Sequence, residues 1–300
     1  MRVTSGMMVD NLRQNINYNS ENLANLQDQL SSGKRLRRPS DDPQAVNRAL
    51  SLKTTSDQYD QYLRNISSAR GWLEATDTAL DQMSNVLNRA RDVALRGATG
   101  TLDRDAQKAL GREIDSYLQE ALQAANATQE GKYLFAGFQV SPGTAPFSED
   151  TATSSIVYSG DSNVMQREIA PGVQLGINVT GDVTIGGDQV LRDGMQAMLE
   201  IRDQLLNVGA VTSSQMDKLT TALNDMPSVR SVVGANTQRI NDTEDALNSL
   251  KTNVTVQLSR AQDADVAEVM TKLMMQQNVY QAALNIGARV IQPSLLDFLK

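Results

Sequence analysis

The 300-residue sequence contains no cysteine and no histidine. Without cysteine there is no disulfide, no thiolate nucleophile and no Cys-ligated zinc. Without histidine the commonest general base and metal ligand is gone, so catalysis would have to rest on carboxylates, Lys, Ser or Tyr. Aromatic residues make up only 4% of the chain against 40% hydrophobic overall, so a core must be built from Leu, Val, Ile, Met and Ala. Such a palette suits long helical seams better than a thick globular interior. The formal net charge of −7 offers no basic stripe for nucleic acid or an anionic membrane. No apolar run approaches the roughly 20 residues that a membrane span needs. Met1 to Asp10 show no charged segment leading into an apolar one, so no cleaved signal peptide is expected.

What is present is a set of heptads. Val9, Leu12, Ile16, Leu23, Leu26 and Leu30 form a narrow seam interrupted only by Asn19, the pattern of a coiled coil rather than of a globular-domain helix. An Asn at a seam position fixes register at some cost in stability. Gly33 is placed to end this helix. After the basic run Lys34 to Arg38, Asp42 reads as an N-cap with Pro43 at the first helical position. The basic run itself is either a solvated linker or a contact to a neighbouring subunit. From Leu52 a second seam runs through Tyr59, Ile66, Leu73, Leu80 and Leu87, with Ala69, Thr76, Met83 and Ala90 between. A helix over 43–96 would be on the order of 80 Å long. Gly97 to Thr101 makes a turn, and Ala106 to Ala124 carry the face of a returning helix.

Helical spacing stops near Gly131. Residues 138–187 are rich in Gly, Ser, Thr and Pro and hold short alternating runs around Ser155–Tyr158, Gln166–Ile169, Gln174–Val179 and Asp182–Ile185, the mark of a small antiparallel β insert. Helical spacing resumes at Leu191 and, beyond Pro227, becomes a third long seam through Val233, Ile240, Leu247 and Val254. That seam breaks at Asp263-Ala264-Asp265, where Asp265 and Glu268 stand at capping-box spacing. The last helix carries Val266, Val269, Leu273, Tyr280 and Val290. The fold expected is therefore mainly α with a small inserted β domain, its long antiparallel coiled-coil helices drawn from both chain ends. The divisions are 1–40 with 262–300, 41–138 with 190–261, and 139–189.

No catalytic, metal or cofactor constellation survives inspection. Asp41-Asp42 and Asp263 with Asp265 sit at helix starts, where carboxylates cap free N–H groups and favour the dipole. Gly181 to Gly187 lacks the Lys and Ser/Thr of a phosphate loop. Met7-Met8 and Met274-Met275 are expected to serve as adaptable packing at seams. Trp72, the only tryptophan, falls beside the Leu73 seam position and reads as packing. The terminal helices are the segments with functional content, because one narrow pair buries little apolar surface and invites completion by other copies.

Leu30-Ser31-Ser32-Gly33-Lys34-Arg35, followed by Ser40-Asp41-Asp42-Pro43, resembles the opening signature of the bacterial flagellin superfamily. Leu258 to Asp265, then Met275-Gln276-Gln277, is similar to its C-terminal signature. Gly131-Lys132-Tyr133-Leu134-Phe135-Ala136-Gly137, the Asp41-Asp42-Pro43 variant and the Ser294 to Phe298 ending resemble the junction branch of that superfamily more than flagellin, the filament subunit. The resemblance implies a structural subunit joining hook to filament. It implies export without a cleaved signal and assembly outside the cell. It also implies an inner tube formed by the terminal arms, the long helices outside that tube and the β insert outermost. The partners implied are copies of itself in a ring, the hook-side junction protein, flagellin and an export chaperone on the C-terminal arm, with no nucleic acid and no membrane insertion. Leu30, Ser31, Ser32, Gly33, Arg35, Asp41, Asp42, Pro43, Asp263 and Asp265 would then set the joint between inner and outer domains. A coiled-coil signalling protein shares the long heptads, but it needs a membrane span and leaves the β insert without a role.

Overall fold

The computed structural model describes residues 5–36, 38, 40, 42–100, 102–139, 143, 145–185 and 188–291, with the side chains of 5, 6, 185, 188 and 289–291 excepted. The chain divides into two compact units, Met1–Asp57 with Leu250–Lys300, and Gln58–Ser249. Two helices contribute to both: α2 (Pro43–Gly97) and α5 (Ser213–Gln262). The first unit also holds α1 (Ser5–Ser32) and α6 (Val266–Ile291). The second also holds α3 (Arg104–Ala125), α4 (Val190–Asp203) and, among the described residues, all of the β-strands.

In the second unit the heptad of α2 is the spine of the core. Ile66, Ala69, Leu73, Thr76, Leu80, Met83, Leu87, Ala90 and Ala94 are all buried, three and four residues apart as a coiled-coil seam requires. The one polar member, Thr76, donates its hydroxyl to the Trp72 carbonyl at 2.8 Å, so its burial leaves no donor unpaired. The α5 seam, including Leu219, Met226, Val233, Ile240 and Leu247, is buried in the same apolar cluster. Ion pairs give the direction. Arg230 reaches Asp77 at 2.9 Å and Asp81 at 2.7 Å, and Arg70 pairs with Glu244. Rising numbers on α2 meet falling numbers on α5, so the helices are antiparallel. Arg89 with Glu120 and Arg96 with Glu113 set α3 antiparallel to α2 in the same way. Pro227 lies inside α5 without ending it, although it removes the donor that the carbonyl four residues earlier would use.

The π-helical turn Gln204–Val208 follows α4. Arg104 holds it from α3 by donating to the carbonyls of Leu205 at 3.1 Å and Leu206 at 2.7 Å. Arg202 is a half-buried charge of this unit. Its guanidinium meets Asp115 at 3.0 Å, Glu149 at 2.8 Å and Asp203 at 2.9 Å. Burial works to lower its pKa, but the bonds to Glu149, Asp115 and Asp203 outweigh that and raise it, so the side chain stays charged.

The β structure is a set of separate hairpins, the first of which precedes the insert expected at 139–189. Among the described residues, two-stranded antiparallel ladders are formed by β1 (Thr128–Gln129) with β2 (Lys132–Tyr133), β3 (Phe147–Asp150) with β4 (Ser155–Tyr158), β5 (Gln166–Ala170) with β6 (Val173–Gly176), and β7 (Thr184–Ile185) with β8 (Asp188–Gln189). The first turns through Glu130 and Gly131, both at positive φ, as a two-residue hairpin loop demands. Side-chain amides tie these ribbons to the helices and their surroundings. Asn65 donates to Glu168 O at 2.9 Å, Asn236 to Gly176 O at 3.1 Å, and Gln196 accepts from Ile156 N at 2.8 Å. Asn126 both donates to and accepts from the Phe147 backbone. Inward-facing Phe147, Ile156, Ile169 and Leu175 join the helical core.

Candidate assembly interface

The first unit is built on two helices lying antiparallel. Leu12 and Ile16 on α1 approach Gly287 on α6, and Asn19 faces Gln276. A Cβ at Gly287 would stand 3.1 Å from Leu12 Cδ2, so the absence of a side chain there permits the close approach. At the other end α1 stops at Gly33, whose φ of +68° suits glycine and whose N–H returns to Gln29 O at 2.9 Å.

Beyond that cap the two strands of chain are laced by main-chain bonds. Arg35 N donates to Gln262 O at 2.7 Å, Leu36 N to the same oxygen at 3.4 Å, and Ala264 N to Gly33 O at 2.9 Å. Lys34 and Asp263 form an isolated antiparallel bridge. Arg35 adds a side-chain bond from Nη2 to Ala261 O at 3.1 Å, which directs part of the basic run back onto the same chain. Leu36 is buried, Ser31 and Ser32 are exposed, and Ser32 Oγ accepts from Lys34 N at 3.3 Å. Asp42 Oδ1 accepts from Gln44 N at 3.1 Å and Ala45 N at 3.0 Å, capping α2, which opens at Pro43. Asp265 Oδ1 accepts from Ala267 N at 2.9 Å and Glu268 N at 3.2 Å to cap α6. Glu268 turns forward to Lys272 at 2.6 Å. Asp41 and the side chain of Val290 lie outside the described residues.

The seam residues are unevenly covered. Val269 and Leu273 are buried, Leu12, Ile16, Leu23, Leu26, Leu30 and Tyr280 are half-buried, and Val9 is exposed. The larger surprise is on the two flanks of that seam on α6. Val266, Met270, Met274, Met275, Val279, Leu284 and Ile286 are all exposed, Met274 at 61% and Met275 at 63%. The methionines expected as seam packing are therefore largely exposed rather than packed into the seam. The sequence did hold the signal: apolar residues come in doublets and triplets, Val269-Met270 and Leu273-Met274-Met275, so apolar side chains spill from the buried seam onto both of its flanks. An exposed apolar face of this kind marks an interaction surface. It supplies no nucleophile, acid or base, and among the described residues no group of His, Cys, Asp or Glu is placed to hold a metal ion. What it can do is associate.

Comparisons with known proteins agree with that chemistry. The family model for the bacterial flagellin N-terminal helical region matches residues 3–140, and that for the C-terminal helical region matches residues 216–299, together more than half of the chain. The chain is 26% identical to flagellar hook-associated protein 3 of Escherichia coli strain K12, over 94% of this chain and 95% of that protein. It is 22% identical to a flagellin of Listeria monocytogenes, over 100% of this chain and 99% of that protein. Among solved structures, the flagellar junction protein of Legionella pneumophila superposes with a TM-score of 0.57 at 16% identity, covering 72% of this chain and 99% of that one, and shares the fold. The chain belongs to the bacterial flagellin family, a structural component of the bacterial flagellum.

Proposed function

We propose that the chain is the junction subunit that joins the hook to the filament. The observation that carries this reading is the likeness to hook-associated protein 3 across nearly the whole of both chains, with flagellin the lesser fit. The exposed apolar flanks of α6 give the reading its physics. An apolar helical face left bare in the free subunit gains free energy when a neighbour covers it.

In this reading the arms assemble copies of the chain into a ring through Val9, Leu12, Ile16, Leu23, Leu26 and Leu30 with Val269, Leu273, Tyr280 and Val290. Residues 1–40 with 262–300 form the inner layer, 41–138 with 190–261 the next, and 139–189 the outermost. The ring contacts the hook-side junction protein on one face and flagellin on the other. An export chaperone holds the C-terminal arm until secretion, and the protein works outside the cell.

Deleting the gene in its flagellated host tests this. Intact hooks without filaments, with unpolymerised flagellin shed into the medium, are expected. Hooks without filaments and without flagellin anywhere would make the chain the filament subunit instead, and normal filaments would overturn both readings.

A further inference from the structure

Trp72 carries a buried donor that the second unit leaves unbonded. The residue is 8% exposed, and its Nε1 is closed to solvent without an acceptor, an arrangement that costs stability until something bonds it. Trp72 also lines a cleft of about 310 Å³, with Arg64, Ser67 and Ser68 on α2 and Gln129 and Glu130 in the β1–β2 hairpin. The α2 residues recur at three- and four-residue spacing and so share one face, with Trp72 at its edge beside the buried seam at Leu73. Gln129 crosses the cleft floor, its Nε2 4.0 Å from where a Cβ at Gly71 would stand. Glu130 holds φ at +52°, a left-handed conformation that Gly or Asn adopts more readily. Strain of that kind gathers at functional sites.

The groups around the cleft select what it takes. A carboxylate would face Glu130 and an ammonium would face Arg64, so a neutral group is favoured over either ion. The indole offers only a donor and Glu130 only acceptors. One small group that answers both is the side-chain amide of Asn or Gln, which carries an acceptor and two donors. This unit already uses such amides to hold ribbons in place, through Asn65 and Asn236 at β5 and β6 and Gln196 at β4. Among the described residues, no side-chain hydrogen bond ties the β1–β2 hairpin in that way.

We propose that this cleft receives an Asn or Gln side chain from a second copy of the chain. The incoming carbonyl accepts from Trp72 Nε1 and the incoming NH2 donates to Glu130, with Gln129 swinging aside to admit them. The chain is rich in Asn and Gln, and Arg64, Ser67, Ser68 and Glu130 are exposed, so a neighbour has both the group and the approach. It gains the indole bond without stripping water from the donor, because that donor is already dry. The proposal rests on the assembly of copies in the reading above, not on the place of the ring between hook and filament.

Trp72 is the only tryptophan, so the full-length chain labelled with 15N at the indole gives one indole signal. Titration with acetamide is expected to move its proton downfield and to saturate, while acetate and ammonium at matched ionic strength leave it in place. Glu130→Ala should weaken acetamide binding about tenfold. No movement with acetamide, which is also the result if Gln129 bonds the indole within the chain, overturns the site, and so does an equal response to acetate. The source is read in flagellated cells with p-benzoylphenylalanine in place of Lys132, an exposed residue on the hairpin rim. Irradiation should link two copies of this chain once they assemble, and none while export is blocked. Links to flagellin or a hook component alone, or no link, overturn the second copy as the source. Self-links in a host whose gene deletion abolishes flagellin altogether would condemn the junction reading and leave the cleft standing.

Discussion

Gln276 on α6 donates through Nε2 to Asn19 Oδ1 on α1 at 3.0 Å, and to the Asn19 carbonyl at 3.3 Å. Asn19 is the one polar break in the α1 seam, and this bond gives it a single partner across the helix pair. A slip along the seam would bury both amides without partners, so the pair specifies register. A double-mutant cycle with Asn19→Ala and Gln276→Ala should show a coupling on the order of 1 kcal/mol. Hydrogen-exchange protection of the α1 amides reads it, and additive losses would remove the register role.

At Gly287 the side chains of Leu12 and Ile16 come close to the α6 backbone. Gly287→Ala asks only the end of Leu12 to shift, and it gains helix propensity of up to about 1 kcal/mol. Its effect should be near neutral or stabilising. Gly287→Val adds branched bulk against Leu12 and should speed proteolytic clipping of residues up to Arg38 roughly tenfold. Equal clipping of the two variants would show that the contact contributes nothing to holding the arms.

Arg202 is 13% exposed and its partner Glu149 14%, whereas Asp115 is 46% exposed and better screened by water. The Glu149 pair therefore dominates. Arg202→Met leaves a half-buried carboxylate without its cation and should cost about 2 kcal/mol, lowering the Tm of this unit by roughly 4–8 °C. Calorimetry checks the shift.

Tyr158 links three backbone groups. Its hydroxyl donates to Phe135 O at 2.8 Å or Asp161 O at 3.0 Å, and it accepts from Gly181 N at 3.2 Å. Burial pushes its pKa up to about 12. The folded value lies above the unfolded one, near 10, so this contribution is whole below about pH 10 and is lost as pH rises towards 12. Asp161 has the opposite sign. Its carboxylate accepts from Phe138 N and Asn163 N, which hold its pKa below the usual range, so its contribution is present above about pH 4 and lost in acid. Tyr158→Phe should flatten the alkaline limb of the stability profile, and Asp161→Asn the acid limb.

The helices were legible in the sequence because each seam repeats a local rule many times. Leu73, Leu80 and Leu87 announce α2 whatever surrounds them, and Gly33, Asp42 and Asp265 mark their helix ends through bonds within four residues. The hairpins were only half legible: β4 stood out as Ser155–Tyr158, but β3 is Phe-Ser-Glu-Asp and offers no β-branched run. The Arg202 cluster was invisible, since Asp115 and Glu149 are distant in sequence and nothing local selects them. The π turn hid because Leu205 keeps a helical spacing from Ile201 while the main chain widens. On α6 the seam was read, and the exposed Met270, Val279 and Ile286 flanking it were overlooked, although the apolar doublets were present.

The lacing between residues 33–36 and 261–264 is written almost wholly in main-chain atoms. A carbonyl at Gln262 and amide groups at Arg35, Leu36 and Ala264 are common to nearly every amino acid. The geometry of the crossing is therefore largely indifferent to side-chain replacement, with proline at the donors and a residue that resists positive φ at Gly33 as the exceptions. Homologous chains are free to drift in charge and polarity along this stretch while their two arms stay sewn in the same relation.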